Sequence, residues 1–482
     1  MRRDFTPAAS SGSYTERAMT TLFDTMTGSV TQLINPGQET FSLYVCGPTV
    51  QDRPHLGHGR IVATYDLLRR HLQHKGLHVN LVMNVTDIDD KIITRAAEES
   101  TSAEEIASRY EAIWWETMDQ LGVDRPDATP HATEWVQAMI VKIAMMIDAK
   151  AAYVVEDGVY LRIASVPHYG LLTKQDFDHL QPGNRVEINQ SKESPLDFAL
   201  WKRVEAHEVG FASPWGYGRP GWHTECVTMS IELLGTTFDL HGGGMDLIFP
   251  HHENELAQAQ VLGAPFARHW AHVGFVEMNG EKMSKSIGNT LDLTEAVRGF
   301  GGRAVRLAYL RAYYRSPLEM SEATLNDALA SLNRIDNFLE RGPFGQVEAD
   351  TLATFVDALD NDLDTPTAFS LLFDQVREGN TRYDQRQSGP AADTAATVYA
   401  MLDWLGLAPT TEDLFIPPEI SEAVEARQQA KQRRDYAQAD ALRAVIEAAG
   451  FAIFDTKDGT ELRKDRRLAT DESLDATSSL DS

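Results

Sequence analysis

The sequence predicts an α/β protein, a doubly wound parallel sheet, and three observations carry that reading. Between residues 41 and 122, short apolar β-forming runs alternate with helix-period stretches, the rhythm of a parallel sheet covered on both faces. Between about 125 and 215 the rhythm breaks, and it resumes at Pro220-Gly221-Trp222-His223. After Leu318 the strand-like runs cease and amphipathic helices take over.

Each element has its own warrant. Residues 1 to about 20 are polar and lack apolar periodicity, which predicts a disordered tail. Phe41 to Cys46 is rich in β-formers and ends at Gly47-Pro48, so it reads as a strand with Cys46 at its carboxyl end. Ile61, Tyr65, Leu68 and Leu72 share a helical face, predicting a helix over 57–75. Residues 79–85 form the next strand, and a long helix runs through Tyr110, Trp114 and Leu121. In the interruption, YVVEDGVYLRI, with a turn at Asp157-Gly158, predicts a β-containing insertion. Residues 222–234 read as a helix, Phe238 to Leu240 as a strand, 241–246 as a loop, and the stretch from about 251 as a helix. His269 to Val276 reads as a strand that leads into the polar loop 281–286.

The resulting fold class is a Rossmann-like doubly wound sheet over 21–318 with an insertion at about 125–215. An α-helical bundle follows over 319–410, then a small C-terminal domain over 415–467 and an acidic, Ser-rich disordered tail over 468–482.

At 482 residues the chain is too long for a single core. No run of 18 apolar residues occurs, and the polar opening lacks the hydrophobic region of a secretory signal, so no membrane span and a cytoplasmic location are expected. Two cysteines 180 residues apart do not make a disulfide framework, and a shared metal is an alternative use. The net charge of −27 disfavours indiscriminate polyanion binding. Against that background, residues 427–467 hold ten Lys/Arg and seven Asp/Glu, a local +3 that suits either a solvated helical hairpin or a nucleic-acid contact.

Four stretches suggest chemistry. His55-Leu56-Gly57-His58 enters a helix after a strand, where backbone N–H groups and two imidazoles can meet phosphate. His251 and Glu255 stand four apart on a helix opened by Pro250, and with Cys46 and Cys226 they make a two-sulfur, one-nitrogen, one-oxygen set that suits zinc. Taken singly, these are ordinary buried thiols and a surface His–Glu pair. His241, three glycines and Asp246 form a stretch that can approach a ligand closely and offer a carboxylate to an ammonium. Lys282 and Lys285 can neutralise phosphates in a transition state, although such a loop is also compatible with plain solvation.

HLGH at 55–58 and KMSKS at 282–286 resemble the two nucleotide-binding motifs of class I aminoacyl-tRNA synthetases, the first differing from the usual wording only by Leu56 for isoleucine. CGPTV at 46–50, NVTDIDDK at 84–91, GWHTEC at 221–226 and HGGGMDLIFPHHENE at 241–255 are similar to cysteinyl-tRNA synthetases, and the match runs from about 22 to 467. The resemblance implies one Zn²⁺ per chain on Cys46, Cys226, His251 and Glu255. It implies ATP contacts from His55, His58, Lys282, Ser284 and Lys285, with Mg²⁺ as helper, and a cysteine pocket lined by Thr86, Trp222, His241 and Asp246.

It also implies a monomer that takes L-cysteine, ATP and tRNA(Cys), with 415–467 as the anticodon-binding domain. Two rival readings are a mycothiol-pathway ligase joining cysteine to an amino-sugar inositol, and a catalytically silent RNA-binding relative. The basic segment weighs against the first, and the intact motif residues against the second.

Overall fold

The computed structural model of the chain describes residues 19–175, 192–278, 281–282, 292–410, 418–456 and 459–464. Most of the expected N-terminal tail, residues 283–291 with Ser284 and Lys285, and the acidic tail lie outside them. Thr20, at the end of the expected tail, is buried and donates to Asp360 Oδ1 at 2.6 Å.

A hairpin of β1 (Thr21–Asp24) and β2 (Ser29–Gln32) precedes the main sheet. Then come β3 (Thr40–Val45), α1 (Leu56–His74) and β4 (His78–Met83), each within one or two residues of the expected bounds. α1 forms because His55 caps it: the His55 ring accepts from the His58 backbone N–H while the His58 ring accepts from the His55 N–H. Leu56, Val62, Tyr65, Leu68 and Leu72 are all buried, each fully buried apolar side chain contributing about 1.5–3 kcal/mol.

α2 (Asp90–Glu99) and α3 (Ala103–Gln120) follow, and α4 (Val136–Asp148) leads into the insertion. The insertion is a four-stranded antiparallel sheet of β5 (Ala152–Val155), β6 (Gly158–Leu161), β7 (Phe198–Arg203) and β8 (Gly218–Pro220), packed on its own cluster around Leu200 and Trp201.

The chain returns through α5 (Trp222–Leu234), β9 (Thr237–Gly244), α6 (Glu253–Val261) and β10 (Phe266–Val273). The main sheet has the order β10-β9-β3-β4, with every pair parallel. The chain leaves β3 toward β4 on one side and comes back through β9 on the other, so the crevice between the carboxyl ends of β3 and β9 is a topological switch point, where open α/β sheets bind ligands.

One expectation is corrected here. His241 to Gly244 is not a loop but the end of β9, with His241 opposite Trp270 and Gly244 opposite Val273. The glycines are needed for closeness: a Cβ on Gly242 would lie 2.4 Å from the Tyr65 ring, and Tyr65 bridges the two strands by accepting from Gly243 N–H at 2.7 Å and donating to Ala271 O at 2.7 Å. Tertiary pairing overrides the weak strand preference of glycine.

Beyond the sheet lie β11 (Val276–Met278), β12 (Glu281–Lys282), α7 (Leu293–Phe300), α8 (Gly302–Leu310) and β13 (Leu318–Glu319). The bundle comprises α9 (Glu322–Glu340), α10 (Ala349–Asp360), α11 (Thr365–Asp384) and α12 (Ser388–Trp404). Its apolar face joins that of α1, α7 and α8 in one continuous core. The C-terminal segment, in which the basic stretch begins at Arg427, folds as α13 (Pro418–Gln432), α14 (Tyr436–Ala448) and a hairpin of β14 (Phe451–Thr456) and β15 (Gly459–Lys464). It has a separate small cluster of Ile420, Ala423, Ile446, Phe451 and Ile453. Among the described residues no helix is long and apolar enough to cross a membrane.

Candidate functional site

Cys46, at the carboxyl end of β3, is held by its N–H to Gly242 O at 3.1 Å, which places its side chain in the crevice. α5 contributes Cys226 and α6 contributes Glu255, with His251 on the turn just before α6. The Cys46 and Cys226 sulfurs are 3.6 Å apart, close to the edge of about 3.8 Å that a tetrahedron with 2.3 Å metal–sulfur bonds requires. Glu255 Oε1 lies 3.5 Å from Cys46 Sγ and 2.9 Å from His251 Nε2. His251 Nε2 is buried yet makes no aligned hydrogen bond. A buried ring nitrogen that lies 2.9 Å from a carboxylate oxygen without an aligned hydrogen bond, beside two sulfurs, suits a metal ligand, and the donor set fits zinc.

The electrostatics agree with a cation site. Burial works against the charge on Glu255, but His241 and His251 hold its carboxyl down to about 2. Burial also opposes a thiolate at Cys226, which nevertheless comes down to about 6 through the Cys46 hydrogen bond and His251. Burial, with Cys226 alongside, pushes the Cys46 thiol up.

Of the residues expected around a cysteine ligand, His241 is fully buried, stacks on Trp270 at 4.7 Å and donates through Nε2 to Glu255 Oε2 at 2.8 Å, since a carboxylate can only accept. Trp222 is 39% exposed and lies 4.0 Å from the His251 ring, which puts it on the rim. Thr86 is buried, its hydroxyl donating to Glu225 Oε2 at 2.8 Å and accepting from Asn84 Nδ2 at 3.2 Å. Asp246 is exposed just past β9: a Cβ on Gly244 would come within 2.5 Å of its Oδ1 and 3.0 Å of Ile61 on α1. The pocket end of β9 therefore abuts the helix that begins with HLGH. There the His55 and His58 rings stack at 3.7 Å, with Trp114 edge-on to His58 at 5.5 Å. Lys282 is placed only as a backbone partner of Glu277 in β12, and Ser284 and Lys285 lie outside the described residues.

Several residues at the site were not singled out in the sequence. His252 Nε2 lies 3.3 Å from Cys46 Sγ, and its Nδ1 is 2.8 Å from His272 Nε2, which in turn leads to Thr25 on the N-terminal hairpin at 2.8 Å. His223 Nδ1 lies 2.9 Å from His251 Nδ1. Asn84 Oδ1 accepts from Gly47 N–H at 2.8 Å and from Cys226 Sγ at 3.7 Å. The available signal was adjacency: His252 follows His251, His223 precedes Cys226 by three, and Asn84 precedes Thr86 by two.

Comparison with known proteins gives a consistent picture. Residues 32–330 match the family model "tRNA synthetases class I (C) catalytic domain", and residues 354–408 match a DALR domain. Curated relatives named cysteine–tRNA ligase include one from Methylococcus capsulatus, 40% identical over 88% of this chain and 95% of its own length. Another, from Caldicellulosiruptor saccharolyticus, is 38% identical over 92% and 99%. Among solved structures, methionyl-tRNA synthetase of Mycobacterium tuberculosis is 15% identical with a TM-score of 0.57, covering 83% of this chain and 96% of its own, a likeness of fold alone. On the family model and these relatives, the chain belongs to the cysteine–tRNA ligases, within the class I aminoacyl-tRNA synthetases.

Proposed function

We propose that this chain activates L-cysteine with ATP and transfers it to the 3′ end of tRNA(Cys), with Cys46, Cys226, His251 and Glu255 holding a zinc ion at the floor of the cysteine pocket. The observation that carries the proposal is the convergence of those four side chains at the switch point beside the helix that HLGH begins. His241 and His252 form a competing set with Cys46 and Glu255. His241 Nε2 is engaged with Glu255 and both His252 ring nitrogens with His272 and Cys46, while His241 Nδ1 and His251 Nε2 both lack a hydrogen-bond partner, so the donor chemistry decides between the sets. The set with two sulfurs is the softer one. Bound there, zinc would offer a coordination position that a substrate thiolate fills readily and a serine hydroxyl fills poorly.

The chain's own residues then orient the reaction. Trp222 forms the rim, and Asp246 stands over the end of β9 to receive the α-ammonium. The cysteine carboxylate attacks the α-phosphorus of ATP, the bond to the β-phosphate bridge breaks, and pyrophosphate leaves with its electron pair. His55 and His58 contact the phosphates at the helix N-terminus, Lys282 and Lys285 neutralise the departing group and Ser284 hydrogen-bonds it; Mg²⁺, where bound, would supply further positive charge there. A tRNA ribose hydroxyl then takes the cysteinyl group and AMP departs. An apolar pocket separates near-isosteres by only about 1–3 kcal/mol, so selection through the thiol removes the need for hydrolytic editing. The +3 stretch over 427–467 supports tRNA over a small amine as the acceptor.

Cysteine-dependent pyrophosphate exchange, with charging of a tRNA(Cys) transcript by the same preparation, tests the reading. Exchange with cysteine and not serine, together with charging, is expected. Exchange without charging, together with cysteine ligation to an amino-sugar inositol, would replace it with the small-molecule ligase.

A further inference from the structure

Two residues past HLGH, Arg60 is 1% exposed, and burial brings its guanidinium down to about 10. It makes four hydrogen bonds, each to a main-chain carbonyl oxygen: Nη1 donates to Gly274 at 2.9 Å and Phe275 at 2.8 Å, and Nη2 donates to Tyr313 at 3.1 Å and Ser316 at 2.7 Å. These acceptors belong to two segments that are themselves zipped together. Gly274 N–H donates to Tyr314 O at 2.8 Å, Leu318 N–H to Phe275 O at 2.9 Å, and Met320 N–H to Glu277 O at 2.9 Å. Gly274 permits that approach, since a Cβ there would lie 2.5 Å from Ser316 O. From Phe275 the chain runs directly into β11, where Glu277 is the register partner of Lys282 in β12.

Burying a cation is costly unless its donors are satisfied; here the carbonyls satisfy Nη1 and Nη2, while Nε is buried without a hydrogen-bond partner. What the guanidinium does is geometric. Its planar fork spans two chain segments with two donors on each, which the single ammonium nitrogen of lysine cannot reproduce. We propose that Arg60 is a positioning residue for adenylate formation: it locks the first turns of α1, with His55 and His58, to the strand pair that carries Lys282, so that both nucleotide motifs keep one spacing. This rests on the reading of those motifs as the ATP-handling groups. At 1% exposure, with Nη1 and Nη2 both occupied by main-chain carbonyls, the Arg60 guanidinium is turned to the chain and not to a ligand. Its contribution is to where the contacting groups stand, and loss of such alignment costs rate at reacting atoms more than it costs binding at the far end of the pocket.

The test uses the full-length protein with its metal, as wild type, Arg60→Lys and Arg60→Ala, the last with and without added guanidinium. Arg60→Lys should lower kcat for cysteine-dependent pyrophosphate exchange by about tenfold to a hundredfold per active site, with KM for cysteine and zinc content unchanged within about twofold. Arg60→Ala should lose more, and guanidinium should restore part of it by refilling the four-carbonyl cradle. Wild-type kcat in Arg60→Lys overturns the proposal, as does a loss wholly explained by fewer active sites. Variants that do not fold would make Arg60 a purely structural residue and overturn it equally. A wild type lacking cysteine-dependent exchange would instead overturn the functional reading, whatever Arg60 does.

Discussion

The crevice around Glu255 and the C-terminal segment from Pro418 to Lys464 are built on opposite plans. In the crevice, Cys226, His241, His251, His252 and Glu255 are all buried, they come from α5, β9, α6 and the turn before α6, and each is placed by contacts within about one hydrogen-bond length of its neighbour. In the C-terminal segment the core is five apolar residues and the side chains that distinguish it are exposed charges, such as the Arg443–Glu447 pair. Surface pairs of that kind are worth about 0–1 kcal/mol, so what sets the segment apart is the local cation excess over 427–467, ten Lys/Arg against seven Asp/Glu, and not its contacts. The difference teaches where substitution is tolerated: the crevice depends on identity at single positions, the C-terminal segment on a sum.

The sharpest test of that contrast is Cys226→Ala, which should reduce zinc from about one equivalent to a small fraction and lower cysteine activation by on the order of a hundredfold or more. Metal analysis alongside pyrophosphate exchange reads both, and unchanged zinc content would break the four-ligand assignment. Next in size, removing residues 415–482 should leave exchange within about threefold while charging of tRNA falls by more than about tenfold, with a flatter salt dependence. Equal charging by the shortened chain would erase the distinction between the two regions.

A smaller effect is expected at Thr86→Val, which leaves Glu225 and Asn84 without their shared hydroxyl partner. A loss of about 1–3 kcal/mol in stability and a raised KM for cysteine, read by denaturant titration and exchange kinetics, are expected. The smallest is Arg443→Gln, for which log K for tRNA should lose about 0.7–0.9 of slope against log salt if Arg443 meets one phosphate, with zinc and exchange unaltered.

Periodicity made the helices and parallel strands legible because burial on one face imposes it: α1 was expected over 57–75 and lies at Leu56–His74. The four proposed ligands were legible as donor types, since two isolated cysteines and an i,i+4 His–Glu pair have few shared uses. Their meeting was not, because nothing in local sequence specifies that β3, α5 and α6 converge. His252 and Asn84 were invisible for the same reason: they meet Cys46 and Cys226 only in the folded crevice. The glycines of 241–244 misled because three in a row read as punctuation, while here each is a place where a neighbouring side chain presses against the strand.

α1 is held at both ends. His55 and His58 cap its start and Arg60 clamps its first turns, while at its far end His71 Nε2 and Lys75 Nζ both bond Asp360 of the bundle, at 2.9 Å and 2.6 Å. Nineteen residues of uninterrupted helix span about 28 Å. No proline interrupts the rod, so it has no joint at which motion could be absorbed. An unbroken rod of this kind ties the placing of the two capping histidines to the placing of Asp360 in the bundle, so the entrance to the crevice and the bundle share one ruler.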